Sequence, residues 1–158
     1  MSIKIPFNEV LKDAQQITDR LLALRNDCQR DILMRFFKTG AGEYGEGDEF
    51  LGIKVPVTRG VVKIVDKNLP IAEIEQLLLS PWHEVRLCAL LILVEQFGRV
   101  ANRCDQGAMR QRDAIVSFYL RHADRINNWD LVDASAPKII GRWLMCPTTM
   151  GKQRDIML

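Results

Sequence analysis

Between Ser80 and Phe97 the chain carries Val85, Leu87, Cys88, Ala89, Leu90, Leu91, Ile92, Leu93 and Val94, an apolar run that leaves a helix almost no polar side. A helix that is apolar nearly all round must be covered by other elements on every flank. Ser80 offers an N-cap and Pro81 a first-turn proline, so the helix is expected to begin there. The run therefore predicts a buried central helix.

The flanking sequence predicts such neighbours. Phe7, Val10, Leu11, Ala14, Ile17, Leu21 and Leu22 recur at three- and four-residue spacing and give a first amphipathic helix. Ile32, Leu33, Phe36 and Phe37 mark a second that starts near Asn26. Lys38 to Glu49, with four glycines and four acids, reads as a loop. Pro56 suits the first position of a third helix, which bears Val61, Val62, Ile64 and Val65 and ends at Asn68-Leu69-Pro70. That run has some strand propensity, but neither alternation nor a partner strand. A short helix covers Ile71 to Leu79, a sixth spans about Gly107 to His122, and a seventh begins near Asn128 and runs on through Ile139, Ile140 and Trp143. The fold class is all-α, with about seven helices. Ser80 and Asn128, which open two of these helices, stand 48 positions apart, each preceded by a shorter helix. That spacing resembles the helix-pair period of HEAT-like arrays and predicts an α-α solenoid.

A chain of 158 residues is one domain with length for a hydrophobic core. The helical-repeat domain is expected over residues 1–144, incomplete at its C-terminal end, with an atypical tail over 145–158. A net charge of +2 does not by itself announce a nucleic-acid binder. Cys28, Cys88, Cys104 and Cys146 form no C-x-x-C pair and share no ligand-like spacing with His83 or His122, so free thiols are expected and a zinc site is not. No cofactor is called for. The N-terminus lacks an apolar core of signal-peptide length, and no stretch approaches a transmembrane span, which points to the cytoplasm. Gly40-Ala41-Gly42-Glu43-Tyr44-Gly45 matches the dinucleotide G-x-G-x-x-G pattern. It follows an amphipathic helix rather than a strand, and Glu43, Glu46, Asp48 and Glu49 would repel phosphate, so a loop is the expectation.

Asn127-Asn128-Trp129-Asp130-Leu131-Val132-Asp133 concentrates an indole and two carboxylates at a helix start. The asparagines and Asp130 are accounted for by capping and by the positive end of the helix dipole. Trp129 alone could be a core anchor. Asp133 is harder to explain in that way, because its neighbours Leu131, Val132, Ala134 and Ala136 are apolar and no base stands three or four residues before it. Trp129 and Asp133 share one helical face, where an aromatic surface beside an anion suits a cationic ligand or transition state.

Trp129-Asp130-Leu131-Val132-Asp133 fits the W-D-x-V-D motif of the DNA alkylation repair family, the AlkD-like glycosylases built from HEAT-like repeats. Phe50-Leu51-Gly52-Ile53-Lys54-Val55-Pro56 resembles that family's F-L-G-I-x-x-P segment, and His83-Glu84-Val85-Arg86 lies between the two at the expected distance. The similarity runs from about Leu33 to Arg142. The resemblance implies hydrolysis of the N-glycosidic bond of cationic alkylated purines, of the 3-methyladenine and 7-methylguanine type, in duplex DNA. By resemblance Asp133 stabilises the sugar cation and orients water, while Trp129 lies against the lesion nucleotide. Full family members continue with further repeats that complete the cleft, so the resemblance also implies a chain shortened at its C-terminal end.

The grip on DNA is expected from basic residues: Lys138 and Arg142 foremost, because they follow Asp133 on its helix, then Arg86, Lys54 and Arg59. Arg99, Arg103, Arg110, Arg112, Arg121 and Arg125 make the same region basic. The partner is double-stranded DNA with alkylated bases, met by a monomer. Two alternatives stay open: a non-catalytic HEAT-like module that binds DNA or protein, and an inactive truncated fragment.

Overall fold

The computed structural model describes residues 9–146. Helices dominate: α1 (Ala14–Ala23), α2 (Asp27–Phe36), α3 (Val55–Val62), α4 (Ile71–Leu78), α5 (His83–Val100), α6 (Gln106–Arg121), α7 (Trp129–Ala136) and a last turn α8 (Arg142–Leu144). A 3-10 turn, Ala123–Arg125, precedes α7, and a π-helical segment, Pro137–Gly141, joins it to α8. Among the described residues there is no strand, only two isolated parallel bridges, Leu11 with Val65 and Glu49 with Trp82. The expected all-α class holds, and no described helix is long and apolar enough to cross a membrane.

As the sequence run required, α5 is central. It packs against α1, α3, α4, α6, α7 and the π segment, and Val85, Cys88, Ala89, Leu93 and Phe97 are fully buried. Each large aliphatic or aromatic side chain so covered stabilises the fold by roughly 1.5–3 kcal/mol. The capping groups are local. Asp13 accepts from Gln16 N at the head of α1, Asn26 from Gln29 N at α2, and Asp105 from Ala108 N at α6.

Four boundaries differ from the sequence expectation, the first being α3, which ends at Val62 and leaves Ile64 and Val65 outside the helix. Val10 and Leu11 are not helical; Asp13 caps α1 behind them, while Leu11 trades backbone hydrogen bonds with Ile64 and Asp66 at 2.8 Å. Ser80 and Pro81 do not open α5. The Ser80 hydroxyl accepts from Trp82 N at 3.2 Å, and the chain pairs with Glu49 before turning helical at His83. The last helix is not continuous, because Pro137 lacks an N–H and the ladder widens into the π segment. Pro147 to Leu158, most of the expected tail, lie outside the described residues.

The arginines of α5, α6 and the 3-10 turn are largely structural. Arg112, 2% exposed, donates to the carbonyls of Val100 and Arg103 at the end of α5. Arg125 reaches the carbonyls of Leu78, Leu79 and Ser80 at the end of α4. Both neutralise the negative end of a helix and satisfy carbonyls that have no intrahelical donor. Arg99 bonds the Lys67 carbonyl, and Arg103 pairs with Asp105. Arg110 and Arg121 remain exposed.

Candidate active site

The segment Phe50 to Ile53 is bent around a carboxylate. Glu84, in the first turn of α5 and 2% exposed, accepts from the backbone N–H groups of Leu51, Gly52 and Ile53 at 2.9, 2.8 and 3.2 Å. Gly52 has φ of 81°, and a Cβ there would lie 2.0 Å from the Asn26 carbonyl oxygen. Only glycine fits. Phe50 then stacks on His83 with ring centroids 4.5 Å apart, and Phe37 stacks on Phe50 at 5.3 Å. The F-L-G-I and H-E-x-R segments thus form one unit beneath the start of α7.

Asp48 is the hub above it. Its Oδ1 accepts from Arg86 at 2.6 Å and Asn127 at 3.1 Å, and its Oδ2 from Asn128 at 2.6 Å. His83 presents Nδ1 to Asp48 Oδ2 at 3.8 Å and Nε2 to Asp130 Oδ2 at 2.6 Å. Burial alone would raise the Asp48 carboxyl, but the attraction of His83 and the hydrogen bonds from Arg86 and Asn127 hold it well below the usual carboxylate range. Burial alone would lower His83, but the attraction of Asp130 and Asp48 outweighs it and raises the ring above its ordinary 6.5.

From this support α7 projects outward. Trp129, its first residue, is 69% exposed, and Asp133, one turn on, is exposed beside it. An indole so open to water is unusual. On the opposite side Leu131 and Ser135 are buried, with the Ser135 hydroxyl bonded to the Leu131 carbonyl at 2.6 Å and to Tyr119 at 2.8 Å. The motif therefore divides cleanly between an inner and an outer face.

A sequence profile for the family described as DNA alkylation repair enzyme matches residues 17–154. The chain belongs to the DNA alkylation repair enzyme family. That membership supports a role in alkylation repair, with DNA as the partner. No curated protein and no solved structure matches the chain.

The expected site residues of this family member do not all fall together. Trp129, Asp133, Lys138 and Arg142 lie along one run of α7, the π segment and α8, and all four are exposed. Arg142 also reaches Asn102 Oδ1 at 3.4 Å. Lys54 and Arg59 are exposed on α3 and at its N-cap, an element that packs on α5 and α1. Arg86 corrects the expectation of a DNA contact: it is 3% exposed and its guanidinium is committed to Asp48.

Sequence reasoning also missed the cluster itself. Asn128 occupies the N-cap position of α7, yet its side chain makes no cap bond and turns to Asp48 instead. Asp130, read as helix-start chemistry, bonds Leu131 N at 2.8 Å with one oxygen and faces His83 with the other. Their separation of 47 residues was the available signal, since it nearly equals the 48-position spacing of the two helix starts.

Proposed function

We propose that the chain is a DNA glycosylase of the cytoplasm, an HEAT-like repeat hydrolase that removes cationic alkylated purines from duplex DNA. The observation that carries this reading is the pairing of an exposed indole with an exposed carboxylate at the start of a helix anchored by buried charges. A purine alkylated at N3 or N7 is positively charged. When its bond to C1′ breaks, the electron pair leaves with the base, which departs neutral, and the sugar becomes an oxocarbenium cation. Asp133 stabilises that cation and orients the water whose oxygen adds to C1′, the displaced proton passing to the carboxylate or to solvent. Trp129 offers its π-face to the cationic base and sugar. By family resemblance no base is flipped into a pocket, so an open surface serves where most glycosylases need a deep one. Lys138 and Arg142, with Lys54 and Arg59 on α3, supply phosphate contacts.

The test is excision of 7-methylguanine from duplex DNA at low salt under single-turnover conditions. The wild type releases base, and Asp133→Asn loses on the order of 10²–10³ in rate, the usual cost of removing one preorganised electrostatic partner. Absence of release by the wild type would rule out the glycosylase. Release unaffected by Asp133→Asn would leave a glycosylase with a different mechanism.

A further inference from the structure

We propose that His83 is a positioning residue: caught between Asp130 and Asp48, it fixes the rotation of α7 and so aims Trp129 and Asp133. The inference rests on the glycosylase reading for its purpose, but not for its geometry.

The start of α7 lacks the usual means of holding itself in place. Asn128, at the N-cap, makes no side-chain cap bond, so tertiary contacts must set where the helix begins and how it is turned. Two such contacts exist. Asn127 and Asn128 are tied to Asp48, which fixes the entry of the chain. Asp130 is tied to His83 at 2.6 Å, which fixes the azimuth. A helix advances about 100° per residue. With Asp130 pinned toward His83, Trp129 stands about 100° to one side and Asp133 about 60° to that same side. One ion pair therefore aims both residues. Leu131 and Ser135, on the other side, are fully buried and keep the helix from rolling away.

The charges identify the state of the ring. Asp48 and Asp130 bring two negative charges against the one positive charge of Arg86, so a protonated His83 offsets the excess negative charge. Nε2 is bonded to Asp130 Oδ2 at 2.6 Å, and Nδ1, which makes no hydrogen bond, stands 3.8 Å from Asp48 Oδ2. A neutral imidazole would turn a lone pair toward one of these oxygens. Glu84, next to His83 on α5, adds further negative potential, while its own oxygens are occupied by Leu51, Gly52 and Ile53. Phe50 closes the ring's face and shields the pair from water. The raised proton affinity of His83 agrees with this arrangement.

The experiment combines NMR of the full chain with single-turnover excision. In the wild type the His83 ring is expected to be an imidazolium at pH 7. Titration toward the neutral ring should shift the Trp129 indole N–H, assigned with Trp129→Phe. In His83→Gln, and in Asp130→Asn as the near-isosteric second variant, that pH response disappears. The excision rate constant should fall on the order of tenfold or more, as misaimed groups do, while affinity for duplex DNA changes less than about twofold, because phosphate contacts lie elsewhere. A neutral His83 at pH 7 overturns the proposal. So does a folded variant whose Trp129 signal and excision rate match the wild type. If the wild type excises nothing, the NMR measurements still decide the positioning claim, and the glycosylase reading fails separately.

Discussion

His122 Nε2 and Glu75 Oε1 stand 2.8 Å apart across 47 residues, the same offset that separates His83 from Asp130. The first pair links α4 to the end of α6, and the second links the starts of α5 and α7. Arg125, in the 3-10 turn after α6, likewise reaches back to the carbonyls of Leu78, Leu79 and Ser80 at the end of α4. Polar side chains near the helix ends tie α4 and α5 to the elements that follow them. The site at α7 is thus built on the pair before it, and its requirements can be tested there.

The Glu84 cradle should be among the most sensitive points of the fold. Glu84→Gln keeps the shape but places an amide donor against three backbone N–H groups, of which its single oxygen can serve only some. A loss of roughly 2–3 kcal/mol is expected, since buried donors are left unsatisfied. Gly52→Ala should cost as much or more, because its Cβ would overlap the Asn26 carbonyl at 2.0 Å. Urea denaturation checks both, and stabilities within about 0.5 kcal/mol of wild type would contradict the cradle.

Stability should fall on the alkaline side through His83. Its folded-state affinity for protons is raised above the ordinary 6.5, so its contribution is fully present below that value. The contribution is lost as pH rises through the folded-state pKa. The gap in unfolding free energy between wild type and His83→Gln should therefore narrow as pH climbs from 6 toward 9 on the order of the His83 titration. Asp48 acts with the opposite sign. Lowered from 3.8, it stabilises above that pH and loses its contribution as acid is added. A pH-independent gap for His83→Gln would count against a charged ring.

Thiol chemistry should sort the cysteines by depth. Cys28 and Cys104 are exposed, whereas burial pushes the Cys88 thiol up to about 12. Mass spectrometry after brief alkylation at pH 8 should find label on Cys28 and Cys104 and none on Cys88. Rapid labelling of Cys88 in folded protein would show that α5 is not the closed centre described above.

Binding to duplex DNA should weaken steeply with salt if the exposed bases on α3 and along α7 to α8 meet phosphates. Lys138→Ala and Arg142→Ala should each reduce the slope of log affinity against log salt by about one. Arg86→Met should leave that slope unchanged while destabilising the fold, since its partner Asp48 would remain buried and negative. Fluorescence anisotropy with a labelled duplex at several salt concentrations measures all three.

The sequence carried the helices well because periodicity is a local property. The apolar run of α5 and the three- and four-residue spacing of the other helices needed no knowledge of the fold. The outward pair also stood out, since Asp133 had no local partner and Trp129 lay one turn away. The inner half of the site was hidden for a physical reason. Asp48 meets Asn127 and Asn128 across 79 and 80 residues, and nothing in a loop of glycines and acids says that one carboxylate turns inward. Arg112 and Arg125 misled in a related way. An arginine that binds helix-end carbonyls has the same sequence signature as one that waits for a phosphate.

The eight residues of α7 are held at both ends, by Asn128 and Asp130 before and by the Pro137 break and the buried Ile139 after. Such a helix has no slack in length. Inserting or deleting one residue inside it would rotate everything beyond by about 100°, turning Asp133 off the outer face or breaking the grip on Asp130. A point substitution removes one contact, whereas a change in length displaces all of them together. The segment is a gauge block: its residue count is as much a part of its chemistry as the indole and carboxylate it carries.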